Sequence, residues 1–345
     1  MIEKLSLVDE KMKPRGHIKS YEEVYSYINS NLKKMHKQSG ESFIEYMSRK
    51  LDYVYQAVVK ELENAYEVFK SVAEAHTFYK ELFKLYVGVD PQDLMLKAKA
   101  YIRVARSIYK QAHADISKLD KSSSSRAPII FKMSAGRLLS LYKRIVNKAQ
   151  NSEQYFREVA KMPDVSGDYV AVIAGLPQVG KSTLLSNLTR AKPEIGSYPF
   201  TTKTIIAGHI DVNNYGKIVL VDSPGILDSP IEEKNLIELK AILALKHLAD
   251  HVIYVFAVYP HFYYTLEEQL RVYESVVKLL GGKPVTVILN KVDLLEKEHV
   301  EAVLGKIETK VGVKPIPVSA LMGYNLDLVK KQLVDAFMAK TQRPR

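Results

Sequence analysis

Apolar and polar residues alternate with two different periods along the chain. In the first half, apolar residues recur at helical spacing through long segments with no proline beyond their first turn. These segments predict helices over 21–37, 41–75, 90–118 and from about 130 to 159. After Gly167, short apolar runs alternate with helical segments, at 169–175, 217–222, 251–258, 284–289 and 314–320. We expect an all-α helical bundle followed by an α/β domain whose sheet is mainly parallel and has helices on both faces.

The break between the two patterns falls near the middle of the chain. Pro163, Asp164 and Gly167 interrupt the apolar pattern between the last predicted helix and the first predicted strand. Residues of these types mark turns and loops. The length of 345 residues is enough for two domains of ordinary size. We therefore predict a helical domain over 1–165 and an α/β domain over 166–345.

The segment 90–118 has one apolar and one cationic stripe. Asp90 and Pro91 form a favourable helix start. The apolar stripe consists of Ala98, Tyr101, Ala105, Ile108, Ala112 and Ile116. The cationic stripe consists of Lys99, Arg103, Arg106 and Lys110, and the next predicted helix adds Arg137, Arg144 and Lys148. We expect one face of this helix to pack and the other to be charged.

The formal net charge is +11, and it is concentrated in the helical half. Residues 97–148 hold 13 basic residues and only Asp115 and Asp120 as acids. Such an excess is typical of a surface that contacts nucleic acid or another polyanion. A solvated basic helix face is the alternative, and composition alone does not separate the two. If the surface binds RNA, its predicted residues are Lys99, Arg103, Arg106, Lys110, Arg137, Arg144 and Lys148.

Several classes of protein are excluded or disfavoured by composition. The chain has no cysteine, which excludes disulfides, thiolate catalysis and cysteine–zinc sites. Its nine histidines show no HExxH spacing, so we expect no histidine-ligated metal. No apolar run approaches the roughly 18–20 residues of a membrane span, and the charged N-terminus lacks a signal-peptide core. We expect a cytoplasmic protein.

The strongest motif is GLPQVGKS over 175–182, which follows a predicted strand and opens a predicted helix. A glycine-rich loop in this setting turns its N–H groups onto phosphate oxygens, and the helix N-terminus adds partial positive charge. We expect Lys181 to reach the β- and γ-phosphates and the Ser182 hydroxyl to ligate Mg²⁺. The predicted phosphate-site residues are Gly175, Pro177, Gln178, Val179, Gly180, Lys181, Ser182 and Thr183.

A second motif, NKVD over 290–293, predicts guanine as the base. Guanine offers two neighbouring N–H donors, and the Asp293 carboxylate can accept from both, whereas adenine would leave it unpaired. Asn290 is expected to hold the loops together and contact N7, and the Lys291 stem is expected to cover the base. Ser319, Ala320 and Leu321 follow another strand and are expected to offer backbone N–H groups to the guanine O6.

Two further segments fit nucleotide-sensing switches. Asp222 begins the run DSPG at the end of a strand and is expected to hold Mg²⁺, with the Gly225 N–H on the γ-phosphate. Thr202 is our choice for the other Mg²⁺ and γ-phosphate contact, although spacing does not separate it from Thr201. Lys181, Thr202 and Gly225 are thus the predicted catalytic residues. Ile226 stands where Ras-like enzymes carry a water-orienting Gln, so intrinsic hydrolysis should be slow unless another group replaces it.

These motifs together resemble the translation-factor-related GTPases of the Obg–HflX group. GLPQVGKS, YPFTTKTIIAGH and DSPGILDSPIEEKN are similar to the Nog (nucleolar GTP-binding protein) family in particular. In the first half, HTFYKELFKLYVGVD and SAGRLLSLYKRIVNKA are similar to the family's helical domain. The resemblance implies a GTP-hydrolysing factor in large ribosomal subunit assembly that binds pre-ribosomal RNA.

The chain departs from the eukaryotic members at two points. It ends at Arg345 without their long C-terminal extension, and in this it resembles the shorter archaeal form. Gln178 occupies a position where eukaryotic relatives and potassium-activated GTPases carry Asn, so activation by a monovalent cation stays open.

Two alternatives to a ribosome-assembly GTPase remain. One is a signalling GTPase switch that is regulated by a protein or a membrane, with the helical domain as the binding surface. The other is a nucleotide-gated binding module without useful hydrolysis. The resemblance favours the large ribosomal subunit and its RNA as partners; stimulation of hydrolysis by the ribosome or by another protein is left open.

Overall fold

The computed structural model describes residues 13–165, 167–189, 193–198, 204–222, 227 and 236–341. The chain divides into two compact units, Met1–Arg157 and Glu158–Arg345. This division lies a few residues before the boundary at 165 and 166 that the sequence pattern predicts. Within the described residues, no helix is both long and apolar enough to cross a membrane.

The first unit is helical. Its helices are α1 (Tyr21–Lys34), α2 (Phe43–Ala73), α3 (Thr77–Val87), α4 (Pro91–Ser117), α5 (Ala127–Lys148) and α6 (Ser152–Lys161), the last of which extends past the division. Helices α1 and α2 both begin with a capping box, in which a serine and a glutamate satisfy each other's backbone N–H groups. Asp90 caps α4 by accepting a hydrogen bond from the N–H of Gln92 at 2.9 Å.

Helices α2, α4 and α5 pack against one another and form the core of the bundle. The predicted apolar stripe of α4 is confirmed, since all of its members are buried except Tyr101, which is half-buried. The core is completed by residues spaced along the length of α2, such as Leu51, Val54, Val58 and Leu62. Spacing of this kind places the side chains on one side of the helix.

Two predictions about the helices need correction. The single helix predicted from about 130 to 159 is wrong, because the chain leaves helical geometry between α5 and α6. Asn151 has a φ of 66° there, a conformation that a helix interior does not contain. Helix α3 was not predicted as a separate element; it ends at Gly88, whose φ of 76° suits a glycine helix terminus.

The second unit contains a seven-stranded sheet. Its strands are β1 (Tyr169–Ala174), β2 (Glu194–Ser197), β3 (Thr204–Val212), β4 (Gly216–Asp222), β5 (His251–Ala257), β6 (Val285–Asn290) and β7 (Ile316–Pro317). The helices are α7 (Lys181–Leu188), α8 (Leu236–Leu248), α9 (Leu266–Leu280), α10 (Lys297–Val311) and α11 (Leu326–Thr341). The strand order is β2-β3-β4-β1-β5-β6-β7.

The mainly parallel sheet confirms the predicted fold class. Strands β4, β1, β5, β6 and β7 are parallel, and β2 and β3 add an antiparallel edge that the apolar pattern did not predict. Because β1, β4 and β6 are parallel, their carboxyl ends lie at one edge of the sheet. The loop after β1, Asp222 of β4 and Asn290 of β6 are all found at that edge, where open α/β sheets bind ligands.

Candidate functional site

The loop between β1 and α7 depends on glycine at two positions. Gly175 has a φ of 142°, and a Cβ placed on it would lie 2.5 Å from the carbonyl oxygen of Val255. Gly180 has a φ of 98°, and its Cβ would collide with the side-chain amide of Asn290. Backbone conformation and space thus exclude a side chain at both ends of the loop.

The middle of the loop turns its backbone inward. Gln178 has a φ of 67°, in the left-handed region that a non-glycine residue seldom adopts, and Gly180 is left-handed as well. Left-handed residues within such a turn let consecutive N–H groups face a common concavity, which suits an anion. The first residue of α7 is Lys181, so the helix N-terminus faces the same concavity.

Lys181 lies beneath this loop and is only 8% exposed. Its ammonium donates hydrogen bonds to the carbonyl oxygens of Gly175 at 2.8 Å and Leu176 at 3.0 Å. These contacts hold the positive charge at the inner side of the loop. A fixed, largely desolvated ammonium is well suited to an anionic phosphate group.

Ser182 and Asp222 bring two oxygen groups together. The Ser182 hydroxyl donates to the Asp222 carboxylate at 2.6 Å, and Asp222 is fully buried. Parallel pairing of β1 with β4 sets Ile173 opposite Asp222, which explains why the carboxylate reaches the loop. Hydroxyl and carboxylate oxygens are ligands that Mg²⁺ prefers, and Mg²⁺ sites commonly use only one or two protein groups. The donor set therefore fits the predicted magnesium site.

Four predicted residues belong to segments that the structure does not describe. Thr201, Thr202, Gly225 and Ile226 lie outside the described residues. The roles predicted for the switch threonine, the γ-phosphate contact and the attacking water stay predictions. Among the described residues, no cluster of three or more histidine, aspartate or glutamate side chains could hold a metal ion.

Asn290 joins three segments at the end of β6. Its side-chain amide donates to the carbonyl oxygen of Val179 in the phosphate loop at 2.8 Å. Its side-chain oxygen accepts from the N–H of Ala320 at 2.9 Å. Asn290 is 2% exposed, so both bonds are shielded from water. The predicted role in holding the loops together is visible in these two bonds, whereas the contact with N7 stays a prediction.

The 319–321 segment is held by contacts within the protein. The N–H of Ser319 donates to Tyr324, and the carbonyl of Ala320 accepts from the Asn187 side chain at 2.8 Å. Ser319 and Ala320 are buried, whereas Leu321 is 74% exposed. Since the N–H groups of Ser319 and Ala320 already have protein acceptors, their predicted donation to the guanine O6 stays a prediction. Asn187 was not predicted, because it lies inside a helix and outside any motif.

A cavity of about 550 Å³ lies between the phosphate loop and the loop after β5. Its lining residues are Pro177, Gln178, Gly180, Lys181, Ser182, Thr183, Tyr259 and Lys291. All of these except Tyr259 were predicted from the motifs. Tyr259 was missed, because no motif contains it; the only signal was the aromatic-rich segment YPHFYY over 259–264. Asp293 is exposed in the short helical turn after Lys291.

The cationic helix surface is present in the helical unit. All seven predicted side chains on α4 and α5 are exposed: Lys99, Arg103, Arg106, Lys110, Arg137, Arg144 and Lys148. The ends of the two helices meet where Lys148 lies beside Lys97. The side-chain contact with Lys97, reinforced by repulsion between the two ammonium groups, lowers the pKa of Lys148. Positive charge is thus crowded where Lys97 and Lys148 meet.

Comparison with known families matches both units. Residues 16–166 match the family described as NOG1 N-terminal helical domain. Residues 170–291 match the family described as 50S ribosome-binding GTPase. The second match begins in β1 and ends within the NKVD motif, so it covers the phosphate loop, Asp222 and Asn290.

Individual relatives agree with these matches. Nucleolar GTP-binding protein 1 of Drosophila melanogaster is 32% identical over 79% of this chain, which corresponds to 42% of that protein. An uncharacterized Methanocaldococcus jannaschii protein is 34% identical over 75% of this chain and 71% of its own length. The chain spans less than half the length of the eukaryotic relatives it matches.

A solved structure, that of a Plasmodium falciparum nucleolar GTP-binding protein 1 homologue, is 24% identical and covers 50% of this chain and 88% of its own. The TM-score between the two structures is 0.41. The family of this chain follows from the two family matches, from the order of the two units and from the archaeal relative. The chain belongs to the nucleolar GTP-binding protein 1 (Nog1) family, as an α-helical NOG1-type domain followed by a P-loop GTPase domain.

Proposed function

We propose that the protein binds and hydrolyses GTP and acts as a nucleotide-dependent switch in the assembly of the large ribosomal subunit. The observation that carries this proposal is the position of Asn290, which ties the NKVD segment to both the phosphate loop and Ala320. These two bonds support a single site that combines the phosphate loop with the Asp293 carboxylate. The family membership supports the same activity.

The proposed roles in phosphate binding follow from charge and position. The N–H groups of 175–180 and the start of α7 receive the phosphates, and Lys181 neutralises the β- and γ-phosphate oxygens. Ser182 and Asp222 hold Mg²⁺, with Thr202 as a further ligand, or Thr201 in its place. Bound Mg²⁺ neutralises charge that develops on the phosphates. Gly225 donates its N–H to the γ-phosphate.

Magnesium dependence can be measured separately from nucleotide binding. Chelating Mg²⁺ should weaken GTP binding by the wild-type protein, because the phosphates lose a counter-charge. Ser182→Ala should show a smaller loss on chelation, because one metal ligand is already missing. Equal losses in both proteins, measured by titration calorimetry, would remove Ser182 from the metal site.

The base and the attacking water are assigned to different residues. Asp293 accepts from guanine, and Lys291 covers the base, with Leu321 as the remaining backbone donor for the guanine O6. Ile226 offers no polar group to water, so we propose slow intrinsic hydrolysis that a partner accelerates. Whether potassium assists is open at Gln178, which lines the cavity.

Ribosomal RNA is the proposed partner of the cationic surface on α4 and α5. Seven exposed basic side chains on two helices that pack against each other offer positive charge to a phosphate backbone. The crowding of Lys97 and Lys148 would be relieved by a bound polyanion. The names of the matching families and relatives refer to a 50S ribosome-binding GTPase and to the nucleolus. A cytoplasmic location belongs to this proposal, since GTP and ribosomal subunits are both found there.

The decisive experiment is co-sedimentation of the full chain with large and small ribosomal subunits in the presence of GTP, a non-hydrolysable GTP analogue, or GDP. We expect binding to the large subunit or its precursor that differs between the GTP and GDP forms. Absence of binding in every nucleotide state, with intact GTP hydrolysis, would favour the signalling switch. Binding without any hydrolysis, alone or with subunits, would favour the nucleotide-gated module.

A further inference from the structure

Tyr259 lines the nucleotide cavity from outside every nucleotide-binding motif. It lies in the loop after β5, and the remaining lining residues come from the phosphate loop, α7 and Lys291. Resting on the proposed function, we propose that Tyr259 is a positioning residue for Lys291 and thereby a determinant of guanine nucleotide affinity. Its aromatic ring lines the cavity next to Lys291, the residue that we propose covers the base.

Lys291 is held between two surfaces. Its ammonium lies 4.0 Å from the centroid of the Tyr259 ring, a close cation–π contact. Its Cε lies 4.0 Å from the position that a Cβ of Gly180 would occupy. The backbone of Lys291 is left-handed, with a φ of 63°, which sets the direction in which the side chain leaves β6. The ring therefore holds the charged end of the side chain while the stem crosses the phosphate loop.

The position of Tyr259 is determined by the fold. Gln269 of α9 is fully buried and makes two bonds to Ala257, the last residue of β5. It accepts from the Ala257 N–H at 2.9 Å and donates to the Ala257 carbonyl at 2.8 Å. At the other end of the loop, Thr265 caps α9 through a capping box with Glu268. Both ends of the loop are thus attached to α9.

Aromatic contacts fix the interior of the same loop. Tyr259 stacks on Phe262 with ring centroids 4.6 Å apart, and Phe262 contacts Tyr264 edge to face at 5.8 Å. His261 has a φ of 62°, which turns the chain back so that the rings meet. Tyr263 belongs to the same loop but is 81% exposed and does not line the cavity. The loop therefore contains both the residue to be tested and a matched control.

The contact with Tyr259 should preorganise the Lys291 side chain for nucleotide binding. A lysine stem that covers a base loses rotamer freedom when nucleotide binds, and this loss opposes binding. The ring of Tyr259 restricts the ammonium before the nucleotide arrives, so less freedom is lost. Removing the ring should mainly accelerate nucleotide release, because affinity differences at one site appear largely in the dissociation rate.

The test measures the dissociation of GDP from the full chain in the presence of Mg²⁺. Tyr259→Leu should release GDP roughly three- to tenfold faster, the range expected for one cation–π contact. Tyr259→Phe keeps the ring and should restore slow release, and Tyr263→Leu should release GDP as the wild type does. In a Lys291→Met background, Tyr259→Leu should have no further effect, because the ring then has no cation to hold.

A spectroscopic measurement tests the placement independently. The chain has 22 tyrosines and no tryptophan, so Tyr259→Trp introduces a single selectively excited fluorophore. Its emission should change when GDP binds, whereas that of Tyr263→Trp should not. The inference would be overturned if Tyr259→Leu released GDP at the wild-type rate, or if the emission of Tyr259→Trp did not change when GDP binds. Either result would leave the proposed function intact. If the wild type itself fails to bind GDP, the proposed function and this inference both fail.

Discussion

At the scale of single residues, two positions of the site depend on residue type for different reasons. One needs a carboxylate and the other needs the absence of a side chain. Asp293 can accept two hydrogen bonds, which matches the paired donors of guanine. Gly180 contributes no side chain, and the Asn290 amide occupies the space next to it. The first residue is the one that we propose selects the base, and the second leaves room for two loops to meet.

Asp293→Asn should change the preferred base. An amide can accept from only one of the two guanine donors and turns an N–H toward the other, whereas xanthine offers a carbonyl at that position. GTP binding should weaken by about 1–3 kcal/mol, the penalty of an unsatisfied buried polar group. Competition titrations with GTP and xanthosine triphosphate measure the change; unaltered GTP affinity would place the base elsewhere.

Gly180→Ala should abolish tight nucleotide binding. The added Cβ would collide with the Asn290 amide, and a φ of 98° is strained for alanine. Gly305→Ala is the matched control, because Gly305 is exposed in α10, has open space where its Cβ would lie, and gains helix propensity of about 1 kcal/mol. We expect GDP binding to be lost only in the first variant. Full binding by Gly180→Ala would contradict the observed contact.

At the scale of elements, a buried chain of hydrogen bonds joins three strands and a helix of the sheet unit. The Tyr169 hydroxyl lies 3.0 Å from Nδ1 of His251, and Nε2 of His251 lies 2.8 Å from the Thr286 hydroxyl. Thr286 in turn donates to the Gln332 side chain at 3.0 Å. Since the single hydroxyl proton of Thr286 goes to Gln332, Nε2 of His251 must carry the proton that it donates. Because burial lowers the pKa of His251, the imidazole is neutral at neutral pH, and Nδ1 then accepts from the Tyr169 hydroxyl.

Stability should fall when His251 becomes protonated in the unfolded chain. Burial lowers the pKa of His251 to about 4 from its usual value of 6.5, against a smaller opposing effect of Asp250. Between these two values the unfolded chain binds more protons, so the free energy of unfolding decreases as the pH falls. The free energy of unfolding should fall by on the order of 3 kcal/mol in total as the pH drops from 6.5 to about 4. Above pH 6.5 this histidine should not change the stability.

The pH dependence is checked by denaturant titration at about pH 5 and about pH 7.5. His251→Gln provides the control, because glutamine can donate a hydrogen bond toward Thr286 but does not titrate. We expect the variant to lose a large part of the difference between the two pH values. An undiminished difference in the variant would assign the acid sensitivity to other groups.

At the scale of the whole molecule, the basic surface and the nucleotide-binding motifs lie in different units. The helical unit has the exposed basic surface of α4 and α5, and the sheet unit has the phosphate loop and the NKVD segment. This separation allows each activity to be altered alone. A variant in the basic surface should leave nucleotide binding unchanged.

Reversing Arg103 and Arg106 to glutamate should weaken binding to ribosomal RNA. Phosphate contacts release counterions, so the salt dependence should become less steep by roughly 0.7–0.9 for each phosphate that is no longer neutralised. Lys33→Glu with Lys34→Glu makes the same charge change on exposed positions of α1 and should weaken binding less. GTP affinity should be unchanged in both variants. RNA binding by the Arg103 and Arg106 variant equal to that of the wild type at moderate salt would identify the surface as merely solubilising.

Much of the fold and of the site could be predicted because the signals are contiguous in the chain. The phosphate loop, the NKVD segment and the amphipathic helices each lie within one short segment, where backbone preference and side-chain period act together. The predicted helix from about 130 to 159 failed for a local reason. Apolar spacing continues through the turn at Asn151, and periodicity alone does not detect one left-handed residue.

The remaining features required the tertiary structure. Asn290 meets Val179 across 111 positions of sequence, and Asn187 meets Ala320 across 133. Tyr259 meets Lys291 only because β5 and β6 are adjacent in the sheet. Local sequence determined the phosphate loop and the predicted base because the residues of each motif lie within a few positions of one another in the chain. Only the folded sheet decided which distant side chains support them, because strand order brings together residues that no periodic pattern connects.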